Sequence, residues 1–293
     1  MKNRAYSQIK SNLKFRFKVV IKKSIMHIFS MIGFKISFNS TNELIISRNI
    51  EETLSKIAIA NTVSGVEKSD NLNFKKFILN NLEYLSEGLP VLWILFLFNC
   101  KRDGYFVEFG ACDGLLFSNT NLLEKNFGWT GILAEPNKSY FNRIVENRNV
   151  IIDTRAVWSK TGELVEFAEV SAGGLSGIYS SFRENNNSFN KRESLGLKKY
   201  PVKTISLNDL LDEHNAPLDF DLLCIDTEGS EFEIIENFDL IKYRPKVICI
   251  EFDGTQYDTK NFENILLAYG YKSVGDELKD ERNLWFVSNK LSV

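Results

Sequence analysis

Beyond residue 104 the chain alternates short apolar runs with helical patterns. The runs are Tyr105 to Phe109, Gly131 to Ala134, Val150 to Val157, Leu222 to Ile225 and Val247 to Ile250. Continuous apolar runs separated by helices predict parallel strands covered on both faces, hence an α/β, doubly wound sheet. One more run, Leu284 to Val287 after the Gly270-Tyr271 turn, predicts an antiparallel last strand. Upstream, the pattern gives two helices between Phe74 and Cys100. The second begins at Pro90, a residue favoured in the first helical turn, and is apolar on every side from Val91 to Phe96, which predicts burial.

Nearer the start, Leu13, Phe17, Val20, Ile21, Ile25 and Ile28 recur at helical spacing between Asn3 and Phe38, with Phe15 and Val19 on other faces. Residues 41–72 are polar and read as a link. The expected organisation is an N-terminal arm and linker over 1–72 followed by one α/β domain over 73–293. The stretch 171–200 breaks the strand-helix rhythm with Gly173-Gly174, Gly177 and Asn185 to Asn187. A long insertion of this kind inside a domain is usually functional or mobile.

Composition adds little until it is divided. At 44% hydrophobic and 25% charged, the 293 residues suit a globular protein and exclude disordered, collagenous and disulfide-framework classes. Nine of the 36 basic residues fall within 1–42, before the first acid, Glu43, leaving 27 basic against 38 acidic residues in the body. An anionic body argues against nucleic acid as the partner. The basic arm suits either ordinary packing with solvated lysines or peripheral contact with anionic lipid. Cys100, Cys112, Cys224 and Cys249 show no C-x-x-C spacing, so structural zinc is not expected and a reducing compartment fits. The longest uncharged runs, 24–34 and 89–100, fall short of the roughly 20 residues of a spanning helix. No small-residue cleavage site follows the first of them, so the expected location is cytoplasmic, peripheral to the inner membrane face if the arm docks there.

The chemistry concentrates where apolar runs stop. Tyr105 to Phe109 carries Glu108 near its end and opens into Gly110-Ala111-Cys112-Asp113-Gly114. In doubly wound folds ligands sit at the carboxyl ends of strands, and glycines admit close backbone approach. The spacing lacks the third glycine of a dinucleotide site, and an acid here suits a cationic ligand such as S-adenosylmethionine. The next run ends in Glu135, where a nucleoside site puts the carboxylate that accepts from ribose hydroxyls. A third run ends in Asp153-Thr154-Arg155-Ala156, with Asp153 and Ala156 as candidates to border an adenine. The fourth ends in Asp226-Thr227-Glu228-Gly229-Ser230-Glu231, and the fifth in Glu251-Phe252-Asp253. Asp226, Glu228 and Glu251 are therefore candidates either for a general base toward a hydroxyl or for oxygen ligands of Mg²⁺. Glu231 also reads as a first-turn acid complementing a helix dipole. His214, in a helix-ending stretch, is an alternative base or a structural residue.

The runs Gly104 to Asn137, Val202 to Pro217 and Asp221 to Asp239, with the acid-terminated strand ending at Glu251, resemble the FkbM-type family of S-adenosylmethionine-dependent methyltransferases over roughly residues 80–290. The resemblance implies a class I methyltransferase (Rossmann-like) sheet with an antiparallel last strand, and O-methylation of sugar or polyketide hydroxyls. Carried over, Glu108, Gly110, Ala111, Asp113 and Gly114 become the loop at the methionine end of the methyl donor, with Ser118, Asn119 and Thr120 beside it. Glu135 becomes the ribose acid and Asp226 the acid facing the reaction centre. The expected activity is methylation of a hydroxyl on a sugar, glycan or glycan precursor, with 171–200 shaping the acceptor side. A nicotinamide-dependent oxidoreductase and a non-catalytic scaffold on the same fold are the competing readings.

Overall fold

A computed structural model describes residues 69–81, 84, 89–115, 118–171, 174–182, 192–252, 258–274 and 282–291. The predicted arm, most of the linker, the central part of the 171–200 insertion and Asp253 lie outside the described residues. The chain divides into two compact units after Asn99, each taken by itself.

In the first unit, helices α1 (Ser69–Asn80) and α2 (Leu89–Leu97) correspond to the two expected helices. The expected boundary at 72/73 falls inside α1. Val91 to Leu95 are buried, as an all-round apolar helix requires. Phe74 meets the Trp93 ring edge-on at 4.8 Å, and Trp93 stacks on Phe96 at 5.3 Å.

The second unit is built on two sheets. The larger contains β1 (Tyr105–Phe109), β2 (Thr130–Ala134), β3 (Ile151–Asp153), β8 (Leu222–Ile225), β9 (Val247–Glu251), β10 (Tyr271–Val274) and β11 (Asn283–Ser288). Among the described residues its order is β10-β11-β9-β8-β1-β2-β3. Pairs β1/β2, β1/β8, β2/β3 and β8/β9 are parallel, while β11 runs antiparallel to both neighbours. The expected doubly wound, mostly parallel sheet is present.

The side chains of Val107, Phe109, Ile132, Leu223, Ile225, Ile248 and Ile250 form one face of a buried cluster. Against them pack α5 (Leu207–Glu213), α6 (Glu231–Glu236) and α7 (Thr259–Ala268) through Leu210, Leu211, Ile234, Ile235, Phe262 and Leu266. Each such side chain contributes roughly 1.5–3 kcal/mol by burial. Helices α3 (Asn121–Phe127) and α4 (Phe141–Asn147) follow β1 and β2 and bury Leu122, Leu123, Phe127 and Ile144.

The smaller sheet differs from expectation. The apolar run from Val150 to Val157 is two strands, β3 and β4 (Ala156–Trp158), in different sheets. The chain turns between them because the Asp153 carboxylate accepts the Arg155 backbone N–H at 2.9 Å, a short polar loop that ends the pairing with β2. β4 then pairs parallel with β7 (Leu197–Ser206), which pairs antiparallel with β5 (Leu164–Val170). β5 in turn carries the short β6 (Gly177–Ile178). Both described ends of the 171–200 stretch thus adjoin this sheet.

Candidate active site

β1 leads to β2 on one side, whereas its other neighbour, β8, comes much later in the chain. The gap at the carboxyl ends of β1 and β8 is therefore a topological switch point, where open α/β sheets bind ligands. Gly110 marks it. Its φ is +74°, and a Cβ there would stand 1.8 Å from the Asp226 carbonyl oxygen, so the two strand ends touch only because residue 110 has no side chain.

A cavity with about 560 Å³ of empty space, its mouth included, opens beside this contact. Of the residues expected at the site, Gly110, Glu135, Ala156, Asp226 and Glu228 line it. Phe109, Cys112, Asn137, Tyr140, Phe167, Ser176 and Gly177 line it as well, and sequence reasoning did not single them out as site residues. Phe167 and Ser176 come from the region of the smaller sheet, whose strands carried no chemical signature.

Glu135 is 4% exposed, and its two carboxylate oxygens accept the backbone N–H groups of Cys112 and Asn137, both at 2.8 Å. Each oxygen retains a second lone pair. Burial pushes its pKa up to about 7 despite those two bonds. The Cys112 thiol is also pushed up, by burial first and then by the Glu135 charge, which makes it a poor nucleophile.

At the other end, Asp226, Glu228 and Glu251 each offer an oxygen within 4.8 Å of the others. Asp226 is raised well above the ordinary carboxylate range by burial, by a hydrogen bond with Glu251, and by the charges of Glu251, Glu228 and Glu231. Glu228 is pushed up to about 8, by burial and the Glu251 charge, against the opposing pull of Arg192. It adopts φ +61°, unusual for a residue with a side chain, and its Oε2 accepts from Arg192 Nη2 at 2.5 Å. Arg192, 2% exposed, lies over the Phe182 ring and donates through Nε to the Leu175 carbonyl oxygen at 3.1 Å. Glu231 does more than complement a dipole. Its carboxylate accepts from Thr227 N, Thr227 Oγ1 and Gly229 N at 2.8 to 3.1 Å, which shapes the turn that carries Glu228.

The other expected residues are not among those that line the cavity. Glu108 accepts from Ser118 Oγ (2.8 Å), Asn119 N (2.7 Å) and Thr120 Oγ1 (2.5 Å), so it orders the loop that follows β1. Arg148, beneath this loop, donates to the Gly114 carbonyl, Ser118 and Thr120. Asp113 bonds the Leu115 backbone N–H and pairs with Arg143. Asp153 is taken up by Arg155 and by His214 Nε2, the latter at 3.1 Å, which places His214 in a structural network. Neither the Ala111 nor the Glu251 side chain is among the lining residues.

Raised carboxyl pKa values have a consequence for stability. An acid that holds its proton more tightly folded than unfolded destabilises the fold as pH rises from its ordinary value toward the raised one. With Glu135 at about 7 and Glu228 at about 8, the ligand-free protein should lose stability steadily between pH 5 and 8. Scanning calorimetry across that range checks it, and Glu135→Gln should flatten part of the slope. A Tm that rises steadily over the interval would contradict the assignment.

The Methyltransferase FkbM domain model matches residues 108–273, more than half of the chain and the whole stretch from Glu108 through Glu251. The chain belongs to the FkbM methyltransferase family. Its sheet order, with the single antiparallel strand β11 between β9 and β10, is the class I methyltransferase arrangement. Among solved structures, the FkbM methyltransferase of Methylobacillus flagellatus KT is 10% identical over 81% of this chain and 60% of that chain, with a TM-score of 0.40. The chain thus spans 60% of the length of that FkbM protein. The precorrin-6y C5,15-methyltransferase of Geobacter metallireducens GS-15 is 15% identical over 67% of this chain and 85% of that one, with a TM-score of 0.36. The N-terminal domain of human METTL16 in complex with SAH is 11% identical, covering 90% and 92%, with a TM-score of 0.33. No curated protein matches the chain. Among the described residues no helix is long and apolar enough to cross a membrane.

Proposed function

We propose that the protein is an S-adenosylmethionine-dependent O-methyltransferase acting on a hydroxyl of a sugar, glycan or glycan precursor. The observation that carries this reading is the cavity lining: three carboxylates, from Glu135, Asp226 and Glu228, and, among the described residues, no lysine, arginine or histidine. A donor bearing a sulfonium and a ribose suits such a wall. A nicotinamide dinucleotide would bring a pyrophosphate with no cation among the described lining residues to neutralise it.

The residues fit the donor. Glu135 has lone pairs left for two vicinal hydroxyls, and Phe109, Phe167 and Ile178 give apolar surface for an adenine. Glu108, through Ser118, Asn119 and Thr120, shapes the loop carrying Ala111, Asp113 and Gly114. When bound, S-adenosylmethionine supplies the electrophilic methyl group. Asp226, raised well above the ordinary carboxylate range, is placed to take the proton of an acceptor hydroxyl, a role worth about 10²–10⁴-fold in rate. Glu228 and Glu251 support it, and the same three carboxylates are the candidate ligands should Mg²⁺ take part.

The test is incubation with radiolabelled methyl donor and host-cell glycan extracts, with and without magnesium, alongside calorimetry against S-adenosylmethionine and NAD. Asp226→Asn is expected to lower transfer at least about 100-fold while leaving S-adenosylhomocysteine affinity within a few-fold. Full turnover by this variant would remove Asp226 as base or ligand. Donor binding with no transfer to any glycan would favour a non-catalytic scaffold.

The basic arm stands apart from this chemistry in our reading, as a peripheral contact with the inner, cytoplasmic membrane face. Deleting residues 1–38 should spare S-adenosylhomocysteine binding and weaken association with phosphatidylserine liposomes. Equal liposome binding by the shortened and full chains would leave the arm as packing.

A further inference from the structure

We infer that the acceptor end of this cavity takes an uncharged or cationic group and excludes one that bears phosphate or carboxylate. This rests on the methyltransferase reading for the word acceptor, but the argument concerns the wall itself. Proteins bind anions with basic side chains or with backbone N–H groups gathered at turns and helix starts. At the end formed by Gly177, Asp226, Thr227, Glu228 and Ser230, several of these donors are already used within the described residues.

Two backbone amides are capped first. In the turn after β8, the N–H groups of Thr227 and Gly229 both donate to the Glu231 carboxylate, which occupies the place an incoming phosphate would need. The hydroxyls follow the same pattern. Thr227 Oγ1 donates to Glu231 at 3.0 Å, and Ser230 Oγ donates to Thr227 Oγ1 at 2.8 Å. The turns after β1 and β2 repeat the arrangement, with Asn119 N on Glu108, and Cys112 N and Asn137 N on Glu135.

Two described cations are engaged as well. Arg192 lies behind Glu228, with Nη2 on that carboxylate, Nε on the Leu175 carbonyl and its plane over Phe182. Lys138, beside the lining residue Asn137 at the opposite end, sits over the Tyr200 ring at 4.5 Å. An anionic acceptor would therefore meet Asp226 and Glu228 with no cation among the described lining residues to compensate it, whereas hydroxyl and ammonium groups can donate to their carboxyl oxygens.

The test uses the full chain loaded with S-adenosylhomocysteine and ligand-observed saturation-transfer NMR. The probes are the glucose, galactose and mannose series, each as methyl glycoside, 2-amino sugar, 6-phosphate and uronic acid. In at least one series the neutral and amino forms should bind at least tenfold more tightly than the phosphate and the uronate. Equal or tighter binding of the charged forms overturns the inference, as does failure of every neutral and amino form to bind at tens of millimolar. A second arm uses Glu231→Ser, which uncaps the Thr227 and Gly229 amides. It should gain binding of inorganic phosphate, read by ³¹P line broadening, where the unaltered chain shows none; phosphate binding by the unaltered chain is again contrary. Should that variant not fold, the sugar panel on the unaltered chain decides alone. S-adenosylhomocysteine affinity, measured on the same samples, reports on the donor reading separately. Its loss with the sugar ranking intact would sink that reading and leave this one.

Discussion

Arg148→Met should destabilise the protein by about 3–5 kcal/mol, the range for breaking a buried ion pair from one side. The guanidinium is fully buried: Nε pairs with Glu124, Nη1 lies 3.8 Å from Glu108 Oε2, and Nη1 and Nη2 reach Ser118 and Thr120 at 2.9 Å. Methionine fills much of the same volume and keeps the contact over Phe106, where the guanidinium carbon lies 5.5 Å from the ring centroid. The loss would therefore come mainly from Glu108 left without its cation and Glu124 left with the exposed Lys125 as its cation, not from a void. Urea denaturation measures it. A variant within about 1 kcal/mol of the parent would mean that the cluster is far better hydrated than its burial indicates. S-adenosylhomocysteine affinity should fall together with stability, because the same guanidinium carries the loop after β1.

Gly110→Ala should have the larger effect on the site. Two penalties combine: a left-handed φ that costs an alanine of order 1 kcal/mol, and a Cβ placed 1.8 Å from a backbone oxygen that no side-chain rotation can relieve. Either β1 or the Asp226 turn must move, and either movement opens the switch point. The expected outcome is loss of measurable S-adenosylhomocysteine binding by calorimetry and destabilisation above about 2 kcal/mol. Binding within a few-fold of the parent would show that the two strand ends can separate without harm. Gly114 offers a contrast. A Cβ there would meet the Arg148 side chain at 2.6 Å, so this glycine serves the passage of an arginine stem behind the wall.

That contrast shows what the sequence could and could not convey. Gly110 and Gly114 look alike in the chain, one turn apart after the same strand, and only the partner across the gap distinguishes their roles. β1, β2, β8 and β9 were legible because each is a short, mostly buried apolar run stopped by an acid or a glycine, whereas β10, with Lys272 and Ser273 exposed, was not. Nor was the smaller sheet. β5 and β7 mix lysines and glutamates among their apolar residues, and Pro201 sits within β7. Proline is tolerated there because β4 pairs only with Thr204 to Ser206, so residue 201 has β5 alone as a neighbour and no second ladder needs its N–H. Arg148 and Arg192 were likewise unreadable, since each meets its carboxylate partners 24 or more positions away. The acids themselves were legible, though not their division of labour. Strand-end position marks Glu108, Glu135 and Asp226 equally, yet Glu108 binds its own loop while the other two line the cavity.

The position of β11 bears on how the protein is made. It follows every other described strand in the chain, yet it lies inside the sheet, between β9 and β10. During synthesis β9, β8 and β1 can assemble as soon as they emerge, but β10 must wait, because its ladder partner has not yet been translated. Until residues 283–288 arrive, β9 presents an open, apolar edge next to Glu251, and open edges invite pairing with other chains. A ribosome stalled before Asn283 would thus hold a chain with most of its cavity residues in place and an adhesive border beside them.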